Sequence, residues 1–119
     1  MITFEIPAAF DAATVAPAVP GGRVDLLRDV TGVYVKRDDV QIGAMAVAMA
    51  DDGFGRDLFI RALAGRDPDL VKSADQFVRA AVIAGGFDGA RAFTIRPGAM
   101  RHLERLGWQE IGRYYRLVP

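Results

Sequence analysis

The chain has no cysteine and a single histidine. The first absence excludes disulfides, thiolate zinc sites and a cysteine nucleophile, and the second leaves no histidine cluster to hold an ion. No metal site is expected. Net charge is missing too, because 15 basic and 15 acidic residues cancel to +0. The broad cationic footprint of a nucleic-acid binder is therefore not expected. No stretch approaches the roughly 20 apolar residues of a membrane-spanning helix. The amino terminus opens with Glu5 among alternating apolar residues, not with a basic stretch leading into an apolar one. A soluble, cytoplasmic protein that meets neither nucleic acid nor membrane is expected.

The 119 residues suffice for one domain, 1–119, that buries roughly two-thirds of its unfolded surface without staples. Thirteen of the 15 basic residues are arginine. Beside so much alanine, this reads as the mark of a GC-rich coding sequence rather than of a phosphate-binding surface. Charge is nonetheless uneven. Residues 88–119 hold six arginines against Asp88, Glu104 and Glu110, a net +3 that leaves −3 for the remainder. An acidic protein surface is the partner this end would suit.

Ile2, Phe4 and Ile6 alternate with Thr3 and Glu5 before Pro7, which suits a first strand with one buried face. Residues 8–16 carry a helical pattern that Pro17, Pro20 and Gly21-Gly22 end. Strands at 33–36 and 40–50 turn at Arg37-Asp38-Asp39, with Gly32 and Gly43 as bulges or close contacts. The second is rich in small residues, from Gly43 and Ala44 to Ala50, so another element or a second subunit of an oligomer can approach it closely. A strand at 58–64 completes an antiparallel meander over 30–64. Gly53-Phe54-Gly55 before it reads as a hairpin turn rather than a phosphate loop, since a strand follows and not a helix.

From Leu70 the period becomes 3.6. Leu70, Ala74, Phe77, Val78, Ala81 and Val82 share one face, Asp69 or Ser73 caps the start, Ser73 and Gln76 fit a capping box, and Gly85-Gly86 stops the helix. Residues 91–95 are extended again. A two-turn helix at 98–106 puts Ala99, Leu103 and Leu106 on its apolar side and His102 on its polar side. A last strand at 108–118 would set Tyr114 and Tyr115 on opposite faces, with Trp108 anchoring the preceding helix to the sheet. The order predicts an α+β domain, a mostly antiparallel mixed sheet flanked by helices.

The segment Arg96-Pro97-Gly98-Ala99-Met100-Arg101-His102-Leu103-Glu104-Arg105-Leu106-Gly107-Trp108 resembles the carboxy-terminal signature of the GCN5-related N-acetyltransferase (GNAT) family. Ala99, Gly107 and Trp108 stand at the signature's alanine, glycine and aromatic positions, Arg96 replaces its asparagine, and Leu103 replaces the tyrosine whose hydroxyl protonates the departing thiolate. The likeness runs over residues 30–118. It implies a GNAT-like, acyl-CoA N-acyltransferase fold with a truncated amino-terminal helical region. It also implies acetyl-CoA held in a gap between the fourth strand, 59–63, and the fifth, 92–95. The implied cofactor-binding residues are Arg61, Ala62, Leu63, Arg66, Lys72 and Arg96.

The resemblance also marks departures. The family cradles pyrophosphate in a glycine-bearing turn entering the long helix, whereas Arg66-Asp67-Pro68-Asp69-Leu70-Val71 has no glycine, two aspartates and a proline without an N–H. The strand that bears the family's general base has no carboxylate. Asp57 at its start is the nearest candidate base, more readily read as an exposed strand-end aspartate, and Tyr114 or Tyr115 is a candidate acid. Two readings follow. One is an N-acetyltransferase with a degenerate cofactor and catalytic site, acting on a small-molecule or protein amine. The other is an inactive binding or structural protein. A weaker likeness to small GNAT-like proteins of tailed phages makes that second reading phage- or virion-associated.

Overall fold

The computed structural model describes all of residues 1–119. One five-stranded sheet runs in the order β1-β2-β3-β4-β5. Strands β1 (Ile2–Glu5), β2 (Thr31–Arg37), β3 (Val40–Asp52) and β4 (Gly55–Gly65) pair antiparallel in succession. Strand β5 (Gly89–Ala92) joins β4 in parallel, since helix α1 (Leu70–Gly85) carries the chain back across one face between them. Helix α2 (Pro97–Arg105) follows. This is the expected α+β domain. No helix is long and apolar enough to cross a membrane.

Each face of the sheet has its own core. On one, Val33, Met45, Val47 and Ile60 pack on Ala74 and Val78 of α1. Phe4 stacks on Phe77 with centroids 4.4 Å apart, at the rim of the same core. The 3.6-residue stripe read from Leu70 is the stripe that meets the sheet.

The other face is covered by residues 12–26, which form three 3₁₀ turns, Ala12–Ala18, Pro20–Gly22 and Val24–Leu26, and not the α-helical run expected at 8–16. Pro17 and Pro20 each lack an N–H, and Gly21 sits at φ 66°, so an i→i+4 ladder cannot propagate. The side chain that seats this cap is Val15, fully buried against Ala44, Ala46 and Ala62. The small-residue half of β3 is thus covered at Ala44 and Ala46 by the chain's own amino-terminal segment. Gly32 is small for the same reason, because the Phe10 ring fills the place its Cβ would take.

Two further expectations need correction. Ser73 lies inside α1 and caps nothing. Asp69 holds the cap position without a side-chain bond, while the Asp67 carboxylate accepts the Asp69 N–H at 2.9 Å. The strand expected at 108–118 does not form. The outer edge of the sheet here is β5, which offers only the four residues Gly89–Ala92, and the chain does not return to it after α2. Residues 109–119 make no backbone–backbone hydrogen bond, and Tyr114 and Tyr115 are 79% and 91% exposed. Limited trypsin digestion is therefore expected to cut after Arg113 and Arg116 before any arginine of α1 or α2, leaving the circular dichroism spectrum unchanged. Mass spectrometry of the first fragments checks this.

Trp108 does anchor α2. Its Nε1 donates to the buried Asp75 carboxylate of α1 at 2.8 Å. Arg79 donates to the same carboxylate through Nε at 2.9 Å and to the Leu106 carbonyl through Nη2 at 2.7 Å.

Candidate active site

The sheet forks at its last pair of strands. Pairing between β4 and β5 is confined to Asp57–Ile60 against Gly89–Ala92, whereas β4 runs on to Gly65. Residues 61–65 therefore have a neighbour on the β3 side only, and alternate ones turn N–H and C=O groups into an open gap. A bulge marks the branch. Val47 pairs with Ile60 and Ala46 with Ala62, which leaves Arg61 as the extra residue.

On the capped face a cleft of about 380 Å³ opens beside the fork. Phe59 and Arg61 line it from β4, Phe93 from just past β5, Val19, Pro20, Leu26 and Leu27 from the 3₁₀ turns and the residues flanking them, and Tyr114 from the tail. The Tyr114 ring meets Phe93 edge-on at 5.2 Å. Arg23 also reaches the lining, but its guanidinium is paired with Asp25 at 2.8 Å. Arg96 straps α2 to the cap by donating from Nη2 to the Pro17 carbonyl.

At the far end of β4, α1 begins. The Leu70 N–H donates to the Asp67 carbonyl and that of Ser73 to the Asp69 carbonyl, while those of Val71 and Lys72 have no partner. Arg66 and Lys72 flank this helix start, exposed and without an ion pair. Asp67 and Asp69, whose charge argues against phosphate here, are both held by Arg37 of β2, at 3.0 and 2.9 Å. That guanidinium keeps the Asp67 carboxyl below its ordinary range. A broader groove of about 630 Å³ between β1 and α1 has no lining residue from β4 or β5.

The remaining sequence-derived positions divide. Ala62 and Leu63 lie on the unpaired stretch of β4, Ala62 buried beneath the cap and Leu63 packed against the α1 core. Asp57 is buried, not the exposed strand-end aspartate that was the favoured reading. Its Oδ2 accepts from Arg91 Nε and Nη2 at 3.1 and 3.0 Å, and it does not line the cleft. Tyr115 lies on the exposed tail and lines neither cavity. Sequence reasoning missed Arg37, Arg91 and the bulge, for none has a local signal.

Arg91 also bonds Asp52, at 2.6 and 2.9 Å, and together with the Phe54 N–H it holds the Asp52 carboxyl down at about 2. A carboxyl depressed in the folded state stabilises the fold above its unfolded value, and that contribution is lost as pH falls through the folded one. The melting temperature is accordingly expected to begin falling near pH 4 and to fall further toward pH 2. Asp52→Asn should flatten that slope in a thermal-melt series across pH.

The sequence matches no family profile and no curated protein. Solved structures do match. A transcriptional regulator from Bacillus halodurans superposes with TM-score 0.73 at 11% identity, covering 99% of both chains. A ribosomal-protein-alanine N-acetyltransferase from Brucella melitensis superposes with TM-score 0.70 at 10% identity, again covering 99% of both. An aminoglycoside N-acetyltransferase in complex with CoA reaches TM-score 0.63 at 16% identity, over 89% of this chain and 85% of that one. The forked sheet with its returning helix is the GNAT-like acyl-CoA N-acyltransferase fold. Such identities speak for the fold alone, and a fold can host several activities.

Proposed function

We propose that the chain is an N-acetyltransferase that uses acetyl-CoA to modify a primary amine. The observation that carries this reading is the fork, where β4 continues past its last partner in β5 toward a helix start with two free N–H groups. The residues present fit the coenzyme. Backbone groups of residues 61–65 would hold its amide-bearing arm, and the Val71 and Lys72 N–H groups, with the Arg66 and Lys72 side chains, its phosphates. Pro68 donates nothing, but Arg37 offsets the two aspartates that would repel phosphate. Bound there, acetyl-CoA supplies a thioester carbonyl open to attack by an amine.

At the reacting end the chain offers one side-chain acid and no base of its own. No carboxylate or imidazole lines the cleft, so water takes the proton the amine sheds. The Tyr114 hydroxyl is the one side-chain acid on the lining suited to protonate a thiolate.

The lack of a carboxylate or imidazole there also favours a second reading, an inactive binding subunit of the same shape that meets an acidic protein through residues 88–119. The likeness to phage-encoded proteins would place such a subunit in a virion. Calorimetric titration with acetyl-CoA and with free coenzyme A decides between them. Micromolar binding, with thiol release when an amine is added, supports the transferase, whereas no binding at millimolar ligand overturns it and leaves the second reading.

A further inference from the structure

Of the 13 arginines, Arg61 alone is half-buried yet makes no hydrogen bond or ion pair. Arg37 and Arg91 are also withdrawn from solvent, and each is held by two carboxylates. The other arginines that lack a partner are exposed, where water solvates them. Arg61 instead projects from the bulge into the cleft, its guanidinium 5.6 Å from the Phe59 ring centroid. No acidic residue lines that cleft. Leaving a guanidinium partly desolvated and unpaired is costly, so such a group is poised for an anion that is not part of the chain. Around it stand Phe59, Phe93, Leu26 and the Tyr114 ring. A cleft of about 380 Å³ suits a molecule the size of one aromatic amino acid.

Resting on the transferase reading, we propose that the acceptor amine carries a carboxylate and an apolar or aromatic side chain, as an amino acid does. Arg61 binds the carboxylate and so selects the acceptor. The ring or alkyl group lies between Phe59 and Phe93, and the amine is left beside the open end of the fork. Arg61 is thus a specificity-determining residue that the transfer step itself does not use.

The test is binding of L-phenylalanine and of L-phenylalaninamide to the full chain, followed by calorimetry or by protein NMR shifts, without coenzyme. The carboxylate is expected to bind about tenfold more tightly than the amide, consistent with one charge-assisted hydrogen-bonded pair. Arg61→Gln, which keeps most of the stem, should erase that preference, and Arg61→Lys should restore part of it. Equal affinity for the two ligands, no binding of either at millimolar concentration, or a preference that survives in a folded Arg61→Gln protein overturns the proposal. Acetyl-CoA and succinyl-CoA titrated into the same proteins form the separate arm. Both should bind wild type and Arg61→Gln alike, because the coenzyme is assigned to backbone groups and the helix start. A succinyl preference lost in the variant would move the carboxylate to the donor and overturn the assignment to the acceptor. Loss of all coenzyme binding, with amino-acid binding intact, would instead sink the transferase reading and leave the Arg61 site standing.

Discussion

Gly65→Ala is expected to destabilise the fold by roughly 2–5 kcal/mol, the sum of a left-handed backbone penalty and overpacking. Gly65 has φ 151°, and a Cβ there would lie 2.5 Å from the Ile42 carbonyl oxygen and 2.6 Å from Leu70 Cδ2. A backbone oxygen cannot swing aside as a side chain can. Gly43, its partner across the strands, is similarly confined by the Ala64 carbonyl oxygen at 2.8 Å and by Leu70 Cδ1 at 2.9 Å. Leu70, 3% exposed, is the first residue of α1 and presses directly on this pair of glycines. The close approach sets the distance between the end of β4 and the helix start, so the coenzyme binding proposed there should weaken along with stability. Urea unfolding monitored by tryptophan fluorescence checks the first effect, with the midpoint falling and the slope unchanged. A change below about 1 kcal/mol would mean that the strand ends yield more easily than their packing implies.

Trp108→Ala is expected to cost about 3–4 kcal/mol, combining a large-to-small loss with a carboxylate left short of a donor. The indole packs against the α1-side core while its Nε1 bonds Asp75, which is 7% exposed. Without it, Asp75 keeps only Arg79, whose side chain is 58% exposed. Trp108→Phe separates the two contributions. It keeps most of the packing and loses the hydrogen bond, for an expected cost of about 1–2 kcal/mol. In thermal melts each kcal/mol should appear as roughly 3–5 °C for a chain of this size. Equal losses in the two variants would show that the hydrogen bond, and not the packing, fastens α2 to α1.

Much of the scaffold was legible because its signals are local. Alternation, the Gly53-Phe54-Gly55 turn and the 3.6-residue stripe after Leu70 need only a short window of sequence, and β2, β3, β4 and α1 all appear where they point. The glycine stop is likewise local, since Gly86 takes φ 65° and ends α1. The misses are long-range. Arg37 reaches Asp67 across 30 positions and Arg91 reaches Asp52 across 39. A side chain cannot announce its ion-pair partner, or the want of one, at such separations. Arg61 reads as one more cation in an arginine-rich chain until the fold shows that no carboxylate answers it. The last strand was misread for a related reason, since alternation reports a strand's readiness to pair but not whether the fold brings it to an edge.

The cap over the second face rests on the sheet chiefly through Val15 and a run of alanines, and its turns are held by short i→i+3 bonds such as Thr14 N–H to the Asp11 carbonyl. Its unfolding free energy should therefore be only a fraction of the whole domain's, and its amides should exchange with solvent well before those of β3. Since Val19, Leu26 and Leu27 of the same cap wall the cleft beside Arg61, a ligand seated there would slow that exchange. The wall of the cleft would then report occupancy through proton exchange, with no need of catalysis.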